Sequence, residues 1–421
     1  GTASYGQREI AMHREDPEAL NRLFWEIEFL CAGTTAVCLV CWLGVIGCSK
    51  EYAPYYGALS MTLIAVAFDI SWFFGGLEEY GLIVLRNMAV KCVGIVLLFL
   101  FIRTRNDLLL YVALTAATGL LGNISMWGYL KPFVGKPDIR QLKPLRHLKE
   151  TLVYFIPTIA TSVYTILDKT MLGWFTGGDK SQNGYYEYAT GFVNMSKILI
   201  MSFNAVMSAR MSYLFGAGKM DEVRERLCGS LDFVLLLAIP ITLGLSGIAA
   251  GFVPWFLGAD YLPVITLMYV CAPLVFVVGL SDCLGSQILT PAGLRAQSGR
   301  VIVGGAAVNF ILNLILIPKF QSYGAAAASV AAECFITFLY LRLGRNFVKL
   351  TLVWKYSWRR LIAGVCMFIS VAVSGNALAA LWGYGPAVTF LQIGAGAAVY
   401  GVVLLVLRDP FVWGQAERIL K

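Results

Sequence analysis

Charged side chains are scarce in this chain of 421 residues, because Asp, Glu, Lys and Arg together make up only 14% of it. Soluble domains usually carry about 25%. Hydrophobic residues reach 58% and the mean hydropathy is +0.71, which excludes a disordered chain as well as a soluble one. Gly-X-Y and heptad repeats are missing too, so collagen and coiled coils are excluded. The composition therefore indicates a membrane protein with several spans.

Other absences narrow the chemistry. No P-loop is present, which excludes ATP hydrolysis by this chain. The two histidines, His13 and His147, fall in predicted loops as surface residues, so we expect no histidine proton relay within the membrane. Ten cysteines lie almost wholly in apolar runs, where Cys behaves as a small hydrophobe. Four of them share one helix face, where they cannot surround a metal ion tetrahedrally: Cys31, Cys38, Cys41 and Cys48. We expect no metal site, no cofactor and no catalytic residue.

Apolar runs are what the sequence does have. Twelve of them have about the 20 residues that a spanning helix needs. Four come first, at 23–47, 56–75, 83–102 and 107–128. Six follow, at 151–174, 185–210, 229–252, 261–281, 297–317 and 323–342, and two more lie at 360–382 and 386–407. These runs predict an all-α polytopic membrane protein with two parallel, pseudo-symmetric lobes and two additional C-terminal helices. The predicted divisions are a first lobe at 1–130, a basic cytoplasmic linker at 131–150, a second lobe at 151–343, and the C-terminal helices with a tail at 344–421.

The positions of the cations predict the orientation. Of the 33 Lys and Arg residues, 25 lie outside the spans on the side that carries both termini, five lie on the opposite side and three lie within spans. Cytoplasmic loops are enriched in Lys and Arg, so we predict that both termini are cytoplasmic. The net charge of +8 is then an orientation signal, and no nucleic-acid partner is expected.

An internal repeat relates the two predicted lobes. EYAP at 51–54 and DYLP at 260–263 each precede a span. In both copies that span has a late acidic residue, and an arginine stands at the start of the next one: Asp69 with Arg86, and Asp282 with Arg300. Both copies enter from the same side, which predicts that 23–128 superposes on 229–342 by a rotation about the membrane normal. The first copy has two spans fewer, so we expect an N-terminally truncated chain.

Three groups of residues carry a resemblance to a known family. They are DISWFFGGLE at 69–78 with Arg86 and Asn87, ILDKTMLGWF at 166–175 with GYYEYA at 184–189, and VNFILNLILIPKFQSYGAAAAS at 308–329. Together they resemble the Wzx-like polysaccharide and O-antigen flippases of the multidrug/oligosaccharidyl-lipid/polysaccharide (MOP) exporter superfamily. In that family's numbering, the first lobe here would hold helices 3–6 and the second lobe helices 7–12.

The resemblance implies a function in polysaccharide biosynthesis. Such a flippase translocates an oligosaccharide, linked to undecaprenyl pyrophosphate, across the bacterial plasma membrane by alternating access. The seventh and eighth helices of the family line a cleft between the lobes. The implied surroundings and partners are the lipid bilayer, the lipid-linked substrate, a polysaccharide polymerase and glycosyltransferases.

Lys197 is the first candidate for a substrate-binding residue. An ionisable group in a span costs about 2.5–3.5 kcal/mol at the centre, and Lys197 lies about a dozen residues from either end of its run. Helical spacing places Asn194, Asn204 and Ser208 on the same face, and Glu187 lies further back along it. This pattern predicts a polar helix face. Hydrogen bonding between helices would explain the uncharged members equally well.

The other ionisable residues of the spans are weaker candidates. Lys169 lies beside Asp168 in the preceding span, whose face also carries Thr158, Thr161 and Thr165. In the first lobe, Lys91 and Arg86 are candidates for substrate binding, although Arg86 would serve equally well as a headgroup anchor. Four acids are candidates for coupling or for ion pairs: Asp168, Asp69, which could pair with Arg86 or Lys91, Glu333 and Glu187.

Two other functions compete with the flippase. A multidrug or cation antiporter of the same superfamily should favour buried acids, whereas Lys91, Lys169 and Lys197 suit a pyrophosphate. A membrane-embedded glycosyltransferase or polymerase needs a large extramembrane loop or an acidic catalytic cluster, and the longest loop between spans here has about 22 residues. We therefore expect a transporter and not an enzyme.

Overall fold

The computed structural model describes residues 1–177, 179–348 and 350–414, except for the side chains of residues 4, 105, 153, 154, 156–165, 209, 350–353 and 356. All regular structure in this described part is helical, as predicted. The chain divides into two compact units, Gly1–Ser162 and Val163–Lys421. The division falls within a helix, twelve residues after the boundary expected at 150.

The first unit consists of six helices and the beginning of a seventh, joined by short 3₁₀ turns. The helices are α1 (Thr2–His13), α2 (Pro17–Cys48), α3 (Ala53–Ala67), α4 (Ser71–Gly76), α5 (Tyr80–Phe101), α6 (Leu108–Met126) and the first part of α7 (Leu148–Phe175). The 3₁₀ turns are Arg105–Asp107, Trp127–Tyr129 and Pro144–His147.

The second unit contains the rest of α7 and seven further helices. They are α8 (Ser181–Gly216), α9 (Met220–Phe256), α10 (Pro263–Cys271), α11 (Pro273–Leu284), α12 (Arg295–Leu343), α13 (Leu350–Trp382) and α14 (Pro386–Val406). A 3₁₀ turn at Ala259–Tyr261 precedes α10, and α11 continues into a π-helical turn at Gly285–Leu289.

The 49-residue α12 is a hairpin of two antiparallel arms. Its helical conformation breaks at Gln321, which has φ 51° and ψ −129°. A Cβ on Gly324 would lie 2.5 Å from the Leu316 carbonyl oxygen, so only glycine fits at this close approach. Near the open end, the hydroxyls of Ser298 and Tyr340 are 2.6 Å apart. The arms, 295–320 and 322–343, therefore match the two separate spans predicted at 297–317 and 323–342.

Ten helical segments of the described part are long and apolar enough to cross a membrane. The α12 hairpin is one of these ten and supplies two crossings. The predicted span at 151–174 corresponds to α7, whose side chains at 156–165 lie outside the described residues. Eleven crossings plus α7 agree with the twelve predicted spans.

Aromatic side chains form the core of the first unit. Asp16 caps α2, since its Oδ1 accepts the N–H groups of Glu18 and Ala19, both at 3.1 Å. This cap turns the chain so that α1 packs on α4: Ile10 is fully buried, and a Cβ on Gly76 would lie 2.7 Å from it. The core beneath also contains Leu23, Phe24, Trp72, Phe73 and Phe74.

The basic segment at 131–150 docks onto this core through Glu26. The Lys143 N–H donates to Glu26 Oε1 at 2.9 Å, and His147 Nε2 lies 2.8 Å from Oε2. Arg146 pairs with the same carboxylate, and the Tyr5 hydroxyl lies 2.6 Å from His147 Nδ1. The prediction that His147 is a surface residue is wrong, because only 4% of it is exposed. A buried carboxylate needs hydrogen-bonding partners, and the segment predicted as a basic cytoplasmic linker supplies them.

The two C-terminal helices pack on α9. Met367, Val371, Tyr400 and Leu404 form their own core with Leu236 and Leu243 of α9. Gly396 of the small-residue run at 394–401 lets α13 and α14 approach, since a Cβ there would lie 2.7 Å from Val371. These helices are therefore part of the second unit.

Arg360 connects all three of these helices at one end. It is fully buried. Its Nη2 lies 2.5 Å from Asp232 Oδ1 of α9 and 3.2 Å from Asp409 Oδ1, which follows α14. Its Nε donates to Asp409 Oδ2 at 3.2 Å, and Nη1 donates to the Asp232 carbonyl oxygen. One guanidinium thus compensates two carboxylates.

Replacing Arg360 with leucine should destabilise the protein, because Asp232 and Asp409 would lose their shared partner. Breaking a buried ion pair from one side costs about 3–5 kcal/mol. Thermal unfolding of the purified protein in detergent measures the loss. The control is Lys355→Leu, which removes an exposed cation from the same helix. Equal unfolding temperatures for the two variants would contradict the role of Arg360.

Candidate functional site

A polar pocket lies in the second unit among α7, α8, α11 and the second arm of α12. It has a volume of about 240 Å³. Its lining includes six of the predicted site residues and several that were not predicted: Asp168, Lys169, Tyr186, Glu187, Thr190, Val193, Asn194, Lys197, Leu274, Val278, Ser329 and Glu333. Two lysines and three acids therefore meet in one small space within the spans. We call it the Lys197 pocket.

Lys197 lies near the middle of α8. Sixteen residues separate it from the first residue of this helix, Ser181, which at 1.5 Å per residue is roughly 24 Å. Its side chain is half-buried. Glu333, on the second arm of α12, lines the same pocket and is near enough to attract the ammonium group. Asn194 lies one turn away on the same face and is exposed to the pocket.

Asp168 is the most fully bonded acid of the pocket. Its Oδ2 accepts hydrogen bonds from the hydroxyls of Tyr186 at 2.8 Å and Ser329 at 2.7 Å, and its Oδ1 accepts from Asn313 Nδ2 at 2.6 Å. Asn313 in turn donates to Asn309 Oδ1 at 3.0 Å. Only 6% of Asp168 is exposed, so these bonds replace the water that a buried carboxylate would lose.

Lys169 and Glu187 form an ion pair across the mouth of the pocket. The pair joins α7 to α8. Both side chains are partly exposed, at 41% and 59%, so solvent screens their attraction. Glu187 is thereby compensated, and Lys197 has Glu333 as the remaining acid of the lining. The threonines predicted on the same face of α7, at 158, 161 and 165, lie outside the described side chains.

Asn204 does not line this pocket, although it lies on the predicted face of α8. It is fully buried, donates to the Gly279 carbonyl oxygen at 3.2 Å and to Asp282 Oδ2 at 3.0 Å, and accepts from Gln287 Nε2 at 2.9 Å. Here α11 and its π-helical turn cover the polar face of α8. Ser208 continues the same contact by donating to the Ser286 carbonyl oxygen at 2.9 Å. The polar face is therefore divided into a pocket half and a packing half.

The candidates of the first unit do not form such a cluster in the described residues. Asp69 stands between α3 and α4, where its Oδ1 accepts the Ser71 N–H at 3.0 Å and starts α4. Asp69 forms no direct ion pair with Arg86 or Lys91 among the described contacts, although its carboxylate is near enough to attract the Arg86 guanidinium. Arg86 donates to Asn87 Oδ1 at 2.9 Å, and Lys91 is exposed on α5. Binding roles for Arg86 and Lys91 stay predictions.

Tyr186, Asn309, Asn313 and Ser329 are site residues that sequence reasoning missed. Each lies in one of the segments that carry the family resemblance: 166–175, 184–189 and 308–329. In the structure all three segments meet at Asp168. The sequence did offer one indication of these residues, because all of them lie in the segments that resemble the family. Helical spacing could not have predicted them, since Asp168 and Asn313 are 145 residues apart in the chain.

The number of spanning helices, the α12 hairpin and the Lys197 pocket together define a multi-pass membrane protein of the transporter type. The chain belongs to the family of polysaccharide biosynthesis proteins, whose sequence profile matches residues 1–214. It is 20% identical over 353 residues to a protein of Escherichia coli named "Putative O-antigen transporter", which covers 80% of this chain and 82% of that protein.

Two solved structures share the fold. The lipid II flippase MurJ, in an inward closed conformation, matches with a TM-score of 0.66 at 16% identity over 97% of this chain and 90% of that chain. A multidrug resistance MATE family transporter of the MOP superfamily, in an inward-facing conformation, matches with a TM-score of 0.64 at 13% identity, over 84% and 87%. The predicted resemblance to polysaccharide flippases is confirmed at the level of the family, and the fold is shared with a transporter of the MOP superfamily.

Proposed function

We propose that this chain is a flippase for a lipid-linked oligosaccharide in polysaccharide biosynthesis, that its carrier is undecaprenyl pyrophosphate, and that it works by alternating access in the bacterial plasma membrane. The observation that carries the proposal is Lys197, an ammonium group in a polar pocket half-way along a spanning helix. The named relatives support it, since one is called an O-antigen transporter and another a lipid II flippase. Transport without a chemical step on the substrate is part of the proposal.

The pocket suits an anionic headgroup. A pyrophosphate entering it would meet the ammonium group of Lys197, and the amide of Asn194 lies nearby as a hydrogen-bond donor. Lys169, released from Glu187, would add a second positive charge. Glu333 compensates Lys197 until the substrate arrives, which lowers the cost of keeping a charge at this depth. Asp168 and Glu333 are the acids we propose for coupling.

A multidrug exporter is the second candidate function. It is favoured by the acidic residues in the lining of the Lys197 pocket. Three acids face two lysines there, and one structural neighbour is a multidrug transporter. However, Asp168 is occupied by three hydrogen bonds and Glu187 by Lys169. A cationic drug would find Glu333 beside a competing ammonium group, which disfavours its binding.

Complementation tests the function. The gene should restore polysaccharide export in a bacterial strain that lacks its own O-antigen flippase, and it should not raise the resistance of a drug-sensitive strain to cationic dyes. Purified protein in proteoliposomes should accelerate the movement of a lipid-linked oligosaccharide between leaflets. If the gene raised dye resistance and did not restore polysaccharide export, the proposed flippase function would be wrong and the multidrug exporter would be supported.

Both termini are proposed to be cytoplasmic. A cysteine at Lys143, whose side chain is exposed, should react with an impermeant maleimide only after the cells are broken, in a background without the native cysteines. A cysteine at Asp179, in the exposed turn between α7 and α8, should react in intact cells and serves as the control. The reverse labelling pattern would contradict the predicted orientation. In that case 25 of the 30 loop cations would face outward, against the usual enrichment of Lys and Arg in cytoplasmic loops.

A further inference from the structure

A second pocket lies at the open end of the α12 hairpin, apart from the Lys197 pocket. It has a volume of about 620 Å³, within the range of small-molecule sites. Its apolar wall consists of Leu294, which directly precedes the first arm, Val301 of that arm, and Leu339 and Leu343 of the second. Its polar lining consists of Gln297, Asn346 and two arginines, Arg342 and Arg345. We call it the hairpin pocket.

No acidic side chain of the described residues compensates these two guanidinium groups. No acidic side chain is among the lining residues, and neither Arg342 nor Arg345 forms a hydrogen bond or an ion pair with the described residues. Both side chains are exposed. An arginine without a carboxylate, beside an apolar wall, is suited to bidentate binding of a phosphate.

The length of the α12 arms places the hairpin pocket at the membrane surface. The first arm of the hairpin has 26 residues, or roughly 39 Å at 1.5 Å per residue, whereas the hydrocarbon core is about 30 Å thick. The ends of the arms therefore reach the headgroup region. Leu294 and Arg345 lie at these ends, and Val301 and Leu339 lie up to two turns deeper. The cations are thus level with lipid phosphates, and Val301 and Leu339 are level with acyl chains.

We propose that the hairpin pocket binds an acidic phospholipid, with its phosphate on Arg342 and Arg345 and an acyl chain along Leu294, Val301 and Leu339. A bound lipid would bridge the two arms just outside the Ser298–Tyr340 contact. The same arms carry Asn313 and Ser329, which hold Asp168. The lipid would therefore stabilise the framework of the Lys197 pocket from the membrane surface.

Native mass spectrometry of the full chain in detergent tests this with phosphatidylglycerol and phosphatidylcholine of identical acyl chains. The wild type should retain phosphatidylglycerol preferentially. Arg342→Gln/Arg345→Gln should weaken its binding about tenfold to thirtyfold, since each cation near the surface adds attraction. The control Arg295→Gln/Arg300→Gln removes two exposed cations of the same helix that do not line the pocket. Equal losses in both double variants would show general surface attraction and overturn the site.

A third variant tests the apolar wall. Val301→Phe fills the groove but leaves both arginines, so it should also lose the preference for phosphatidylglycerol. The unfolding temperature of each variant without lipid shows whether it is folded, and only the wild type and the control should be stabilised more by phosphatidylglycerol than by phosphatidylcholine. Unchanged binding by Val301→Phe would overturn the proposal. So would displacement of phosphatidylglycerol by equimolar undecaprenyl pyrophosphate, which would assign the pocket to the transported substrate.

Discussion

Replacing Lys197 with alanine should abolish polysaccharide export while the amount of protein in the membrane stays at the wild-type level. A charge near the middle of a span costs about 2.5–3.5 kcal/mol of insertion free energy. Lys197 therefore does not contribute to stability, and its presence points to a function. Removing it should leave folding unharmed and remove the ammonium group that meets the pyrophosphate. Lys197→Arg should retain part of the activity, because charge matters more than shape here. Lys197→Glu should be as inactive as alanine, since it repels the phosphates.

Glu333 provides the sharpest control for this prediction. It lines the same pocket and attracts Lys197, so loss of export in the single variant could come from an uncompensated carboxylate. The neutral double variant Lys197→Met/Glu333→Gln removes both charges together. The single variant Glu333→Gln measures any loss that comes from Glu333 itself, including a coupling role. If Lys197 only compensates Glu333, the double variant should export as much as Glu333→Gln, whereas substrate binding by Lys197 predicts that the double variant exports less than Glu333→Gln.

Complementation of the flippase-deficient strain, with membrane abundance measured in parallel, decides between these outcomes. Met195→Ala is the matched control, because Met195 lies two residues away on α8, is 70% exposed and does not line the pocket. It should export normally. Normal export by Lys197→Ala at wild-type abundance would remove Lys197 from the mechanism.

The helices could be predicted because the bilayer imposes a simple rule on the sequence. A span needs about 20 apolar residues, and even the α12 hairpin is predicted by two apolar runs separated by PKFQS at 318–322. The ends of the helices were predicted less well. For example, α13 begins at Leu350, ten residues before the predicted span. Hydropathy marks where a helix leaves the hydrocarbon, and backbone hydrogen bonds carry the helix further.

The roles of single charges were harder to predict than their presence. Arg360 stands at the first residue of the predicted span 360–382 and belongs to the 25 cations that predict the orientation, yet it is fully buried between Asp232 and Asp409. His147 was expected on the surface and is buried against Glu26. In each case the partner is 49 to 128 residues away in the chain. Local spacing contains no information about such contacts.

The same limit applies within the site. Helical periodicity correctly placed Asn194 and Lys197 on one polar face. It also placed Asn204 there, and could not show that α11 would cover that end. Periodicity predicts which residues share a face, but only packing decides whether the face meets a pocket or another helix.

Substitutions of Asp168 should also have large effects, on the amount of protein in the membrane or on export. Two different substitutions should distinguish a structural role of this residue from a coupling role. Asp168→Ala would leave Tyr186, Asn313 and Ser329 without their common acceptor, at about 1–3 kcal/mol for each unsatisfied buried group. We therefore expect several-fold less protein in the membrane.

Asp168→Asn should behave differently, since its amide can serve the same partners without the charge. The Asn carbonyl oxygen can accept from Asn313 Nδ2, and its NH₂ group can donate to the hydroxyl oxygen of Ser329, which rotates to accept. Near-normal abundance is therefore expected. If the carboxylate couples transport to an ion or proton gradient, export should nevertheless fall to the level of the empty vector in the complementation assay. Ser329→Ala is the matched control: it removes one of the three bonds and keeps the charge, so it should lower abundance modestly and retain export per molecule. Wild-type export by Asp168→Asn would show that Asp168 serves only to join α7, α8 and the two arms of α12, and the coupling acid would then have to be Glu333.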